Sequence, residues 1–160
     1  MITFLDVDGV LANFVDGALA RHGRSDYHVD CWKFYEKWGM SADQFWEPLQ
    51  GRDFWVNLEV YDHAWQLYMQ HVEHSEQVIF VTAPNRDPEC VPGKLEWLRK
   101  HFSATIDDVI FTSRKHLLAG PNRLLVDDSF DNCKEFVEHG GQAQLFPQSW
   151  NNFFRQIKSA

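Results

Sequence analysis

Four short apolar runs punctuate the chain, Ile2 to Leu5, Val78 to Val81, Val109 to Phe111 and Leu124 to Val126, and polar residues close each of them. Continuous apolar runs of this length predict strands buried on both faces, as in a parallel sheet. A fifth strand is expected at Ala143 to Phe146. Helical spacing fills the intervals. Leu95, Leu98 and Phe102 recur along Gly93 to His101, and Phe130 to His139 is ended by Gly140-Gly141. Strands alternating with helices predict an α/β fold, a doubly wound parallel sheet.

Between Leu5 and Val78 lies far more chain than one crossover helix requires. Asp16 to His22, Cys31 to Trp38, Ser41 to Trp46 and Tyr61 to Val72 carry helical, aromatic-rich patterns. They predict a small helical cap over 14–71, inserted directly after the first strand, with 1–13 and 72–160 forming the core.

Composition narrows the function classes. A net charge of −8 with no long basic run argues against binding a nucleic acid polymer through its phosphates. A small anionic ligand then needs a local positive source: a metal ion, a lysine or backbone amides. Cys31, Cys90 and Cys133 show no paired spacing, so neither a disulfide framework nor a zinc site is expected and a reducing cytoplasmic setting fits. The apolar start is cut short by Asp6 and Asp8, and no stretch reaches the roughly 18 apolar residues of a membrane span, so neither export nor membrane association is expected. A homodimer is left open.

Open α/β sheets bind ligands at the carboxyl ends of their strands. The residues found there are Asp6, Thr82, Ser113 to Lys115, and Asp127-Asp128. Carboxylates crowded at one edge repel unless a cation offsets them, and hard oxygen ligands suit Mg²⁺. Lys94 competes with Lys115 for the place of the lysine at this edge, but it opens a helix, where a solvated lysine is expected. Ser129 and Asp131 are expected to cap a helix. The eight histidines lack metal-ligand spacing and are assigned to the surface or helix ends; Trp65, Trp97 and Trp150 are assigned to the core.

Asp6-Val7-Asp8-Gly9-Val10 after an apolar strand resembles the first motif of haloacid dehalogenase superfamily phosphatases. Thr82 in IFVTAP, Lys115 in FTSRK and Asp127-Asp128 in LLVDD resemble the second, third and fourth, in order and over nearly the whole chain. The resemblance implies a covalent nucleophile at Asp6, a general acid and base at Asp8, phosphoryl contacts from Thr82 and Lys115, and Mg²⁺ held by Asp6, Asp8 through its main-chain carbonyl, and Asp128, with Asp127 orienting the ligands. DVDGVLANF, the helix Gly93 to Phe102 and the strand before Lys115 are most similar to the 5′(3′)-deoxyribonucleotidase family. That likeness implies base stacking on Phe14 and Trp46, with Trp32 and Phe34 as weaker candidates, and backbone contact from Ala83. The chain departs from the pattern at Ala83-Pro84, where relatives usually carry a hydroxyl residue.

Three other readings compete. A phosphatase for sugar phosphates or other small metabolites shares the chemistry. A receiver domain shares the acid cluster, threonine and lysine, but places its acidic pair on the first strand and has no large insertion there. A silent binding module keeps the fold without the reaction, yet every expected catalytic group is present.

Overall fold

The computed structural model describes residues 1–151. Five strands, β1 (Ile2–Asp6), β2 (Gln77–Thr82), β3 (Val109–Phe111), β4 (Arg123–Asp127) and β5 (Gln142–Leu145), form one parallel sheet in the order β3-β2-β1-β4-β5. These bounds lie within about two residues of the apolar runs, because a strand covered on both faces must be apolar throughout. The chain winds outward from β1 to β3 and then restarts on the other side of β1. Its direction therefore reverses between β1 and β4, the place where an open sheet leaves a crevice.

Alternation along the strands sends side chains to two cores. Phe4, Val81 and Leu125 face one side, where Phe136 of helix α6 (Phe130–Glu138) meets Phe4 edge-on at 6.2 Å. Leu5, Phe80 and Val126 face the other, under α4 (Ala64–His74) and α5 (Cys90–Phe102). Tyr68 of α4 stacks on Phe80 at 5.4 Å, so this helix covers the sheet, and the expected boundary at residue 71 falls inside it. Trp97 is buried as expected and donates to the Leu58 carbonyl. Trp65 is not: it is 55% exposed on the outer side of α4, where its ring still lies over Phe102.

The inserted segment holds α1 (Phe14–Arg21), α2 (Ala42–Trp46), α3 (Arg52–Val56) and a 3₁₀ turn at Phe34–Trp38. The turn is shorter than the helix expected from Cys31, and α3 was not foreseen. Helices of five residues are too short to show a 3.6-residue period, and aromatic packing holds them instead. Phe34, Tyr35, Trp38 and Phe45 pack ring against ring, and this cluster runs continuously into the core beneath α4 and α5.

A tight turn joins β1 to α1. The Val7 carbonyl accepts from the amides of Val10, Leu11 and Ala12, and Gly9 takes φ +82°. A Cβ at Gly9 would stand 2.3 Å from Asp128 Oδ2. Both the left-handed backbone and the contact disfavour any side chain there. Gly9→Ala is expected to lower stability by about 2 kcal/mol or more, combining the left-handed penalty with displacement of Asp128. Urea unfolding, followed by circular dichroism, reads this as a lower midpoint.

Candidate active site

The register that pairs Leu5 with Val126 sets the next residues of β1 and β4, Asp6 and Asp127, side by side at the carboxyl edge of the sheet. Asp128 follows at once. One oxygen from each of Asp6, Asp127 and Asp128 lies within 4.8 Å of the others, and all three residues are buried. Lys115, at the start of a 3₁₀ turn after β3, reaches Asp6 Oδ1 and Asp127 Oδ2 at 2.7 Å each. Burial and the neighbouring Asp127 hold the Asp6 carboxyl well above its ordinary range, against the opposing pull of Lys115. Burial and Asp127 likewise push Asp128 up to about 7. Burial lowers the proton affinity of Lys115, but Asp6 and Asp127 outweigh it and the ammonium is held above its usual range.

Among the described residues, three carboxylates, if ionised, and the Lys115 ammonium would leave two uncompensated negative charges in a buried site. Burial of that excess disfavours the charged forms of Asp6 and Asp128, and a cation joining them offsets the penalty. An all-oxygen donor set with an excess of two charges fits a hard divalent ion.

Around this trio the supports are specific. The Val7 amide donates to Asp6 Oδ1 at 2.8 Å. Asp127 accepts from the Ser129 amide at 2.8 Å and from Asn132 Nδ2 at 3.1 Å, while Lys115 holds the same Oδ2. Ser129 also caps α6 by accepting from the Asn132 amide, as expected, and Asp131 stays exposed in the first turn. Trp150 Nε1 donates to Asp128 Oδ2 at 2.6 Å. That indole was expected in the core; it stands instead half-buried on the wall of the cleft, because a buried carboxylate there needs a donor.

Lys94 corrects a second expectation. It is only 4% exposed, and its Nζ donates to Asp8 Oδ2 at 2.7 Å, Thr82 Oγ1 at 2.9 Å and the Ala83 carbonyl at 2.7 Å. The signal lay in the helical stripe Cys90, Lys94, Trp97, Leu98, all buried, where a charged residue at a core position demands a partner. The two lysines thus divide the site: Lys115 holds Asp6 and Asp127, and Lys94 holds Asp8 and Thr82. The other Asp8 oxygen, Oδ1, is buried with no hydrogen-bond partner among the described residues.

Above these groups opens a cleft of about 530 Å³, lined by Asp6, Asp8, Thr82 and Ala83 below and by aromatics from the insertion above. Phe14 is at the centre of that wall. Its ring lies 5.6 Å from Trp46, 6.0 Å from Trp32 and 5.9 Å from Trp55, stacked on the last at 15°. Trp55 also underlies Lys94, whose Nζ is 4.9 Å from the ring centre. Phe34, a weaker candidate, is buried inside the insertion and does not line the cleft.

All 160 residues match the family model described as 5′ nucleotidase, deoxy (Pyrimidine), cytosolic type C protein. No curated protein matches the sequence. Among solved structures, a haloacid dehalogenase-like hydrolase from Streptococcus pneumoniae is similar at TM-score 0.60 and 14% identity, covering 98% of this chain and 89% of that one. L-2-haloacid dehalogenase from Xanthobacter autotrophicus, with chloropropionic acid covalently bound, is similar at 0.56 and 15%, covering 99% and 82%. A haloacid dehalogenase family enzyme from Bacteroides thetaiotaomicron, in complex with magnesium and inorganic phosphate, is similar at 0.50 and 13%, covering 98% of both chains. These likenesses establish the fold, which is that of haloacid dehalogenase-like hydrolases, and the match over the full length establishes the family: the chain belongs to the 5′ nucleotidase, deoxy (Pyrimidine), cytosolic type C proteins, and is a phosphatase.

Proposed function

We propose that this phosphatase hydrolyses deoxyribonucleoside 5′(3′)-monophosphates with Mg²⁺, through an aspartyl-phosphate at Asp6. The observation that carries the reading is the buried trio Asp6, Asp127 and Asp128 around Lys115, at the floor of a cleft roofed by aromatic rings. Asp6, Asp128 and the main-chain carbonyl of Asp8 would hold the ion, and Asp127 would orient Lys115 beside it. When bound, Mg²⁺ offsets negative charge on the phosphoryl oxygens.

Each step then falls to a residue of the chain. The Asp6 carboxylate, steered by the Val7 amide and Lys115, attacks phosphorus and forms an acyl phosphate. Asp8 delivers its proton to the departing ester oxygen and takes one from the hydrolytic water, using the oxygen that Lys94 leaves unengaged. Thr82 and Lys115 hydrogen-bond the phosphoryl oxygens as charge builds on them. The part of the insertion that carries α1, α2 and α3 serves as the cap, and Trp46 and the more exposed Trp32, backed by the buried rings of Phe14 and Trp55, form the surface on which a base stacks. A sugar phosphate offers no flat ring to that wall, which favours the nucleotide over the other phosphomonoesters.

Purified protein is expected to release phosphate from deoxynucleoside monophosphates in preference to sugar phosphates, to stop with EDTA and to recover with Mg²⁺. Asp6→Asn is expected to abolish turnover; full activity in that variant would rule out the covalent route. Trp46→Ala should weaken nucleotide binding by about 1–3 kcal/mol, the contribution of one base–aromatic stack, measured as KM across several bases. An unchanged KM would remove the cap from base recognition. Lys94→Met is expected to slow a nucleoside monophosphate by about 10²-fold while slowing p-nitrophenyl phosphate far less, because an aryl oxide departs without a proton from Asp8. Equal losses on both substrates would contradict the assignment of Lys94 to Asp8.

A further inference from the structure

The segment that follows β5 turns back across the carboxyl edge of the sheet and binds it at several points. Gln148 Nε2 donates to the Gly9 carbonyl at 2.7 Å, and Asn151 Nδ2 donates to the main-chain oxygens of Asp128 at 3.0 Å and Phe146 at 2.6 Å. Ser149 Oγ donates to the Val29 carbonyl of the insertion, and the Trp150 ring lies 6.4 Å from Trp32. Between these anchors, the Trp150 indole meets Asp128 Oδ2 at 2.6 Å. The same oxygen faces Gly9 on its other side, where even a methyl group would be too close.

We propose that Trp150 is a positioning residue for the metal ligand Asp128, and that through it the segment 147–151 sets the affinity for Mg²⁺. The inference rests on the metal site proposed above. An indole N–H is a neutral donor with no acceptor capacity. It fixes the rotation of the carboxylate without cancelling its charge, whereas a lysine in its place would compete with the cation. Lys115 already neutralises part of the trio from the Asp6 and Asp127 side. A charge-free donor on Asp128 preserves the electrostatic attraction for a divalent ion, and outer hydrogen-bond partners of this kind typically change metal affinity by about 10–100-fold.

Mg²⁺ alone, titrated calorimetrically into wild type, Trp150→Phe and Asp128→Asn, tests the proposal without substrate. Wild type is expected to bind, Asp128→Asn to lose binding, and Trp150→Phe to bind about tenfold more weakly. In ¹⁵N-indole NMR of the wild type, the resonance missing from Trp150→Phe is expected to be the one that moves most on adding Mg²⁺. If Trp150→Phe melts earlier but binds Mg²⁺ as wild type does, Trp150 is structural and the proposal fails while the metal site stands. A stationary Trp150 resonance during wild-type binding overturns it equally. Absence of Mg²⁺ binding by the wild type overturns both the metal site and this inference.

Discussion

Three carboxylates held out of water, with Lys115 the one ammonium group against them among the described residues, form the constraint on which this site depends. Burying charge is unfavourable unless each group is paired and hydrogen-bonded. Here Lys115 reaches only two of the three acids, Asp6 and Asp127. The fold makes that arrangement unavoidable, because β1 and β4 are adjacent in register and each ends in an aspartate. The reversal of winding between these strands opens a crevice at the same point. Topology and electrostatics therefore select one place on the molecule for a cation and an anionic ester to meet.

Two lysines occupy that edge, and their separation matters as much as their presence. Lys115 comes from the turn after β3 and lies among Asp6 and Asp127; Lys94 comes from α5 and lies among Asp8, Thr82 and the Ala83 carbonyl. Each is buried to the same degree. The proposed nucleophile and the proposed acid thus have separate cationic partners, so their environments can differ although they stand two residues apart.

The strand ends were readable from sequence because a doubly covered strand is apolar until it reaches the sheet edge, where polarity returns abruptly. Asp6, Thr82, Lys115, Asp127 and Asp128 all stand at such breaks, and the structure brings them to one cleft. What was misread depends on partners remote in the chain. Lys94 looked solvated because the group that justifies its burial, Asp8, is 86 residues away. Trp150 looked like core because its indole N–H gives no sequence signal of a carboxylate partner. Trp65 looked like core for the opposite reason: helix α4 carries two large aromatics, Trp65 and Tyr68, and the period alone did not show which of them faces the sheet. The insertion resisted reading because its short helices are held by ring contacts, which obey no fixed spacing.

Trp55 ties the insertion to the floor of the cleft. Its ring stacks on Phe14 in the cleft wall and also lies under the Lys94 ammonium, at 4.9 Å, where a desolvated cation–π contact is worth up to about 2 kcal/mol. The same lysine orients Asp8. The Trp55 ring cannot move without changing the surroundings of Lys94, and Lys94 cannot move without loosening Asp8. Gly93, next to Lys94 on α5, narrows this freedom further, since a Cβ there would lie 2.7 Å from the Trp55 Cβ. The close approach of α3 to α5 thereby fixes the indole over the lysine, and the aromatic roof and Asp8 are linked by one contact between the insertion and the core.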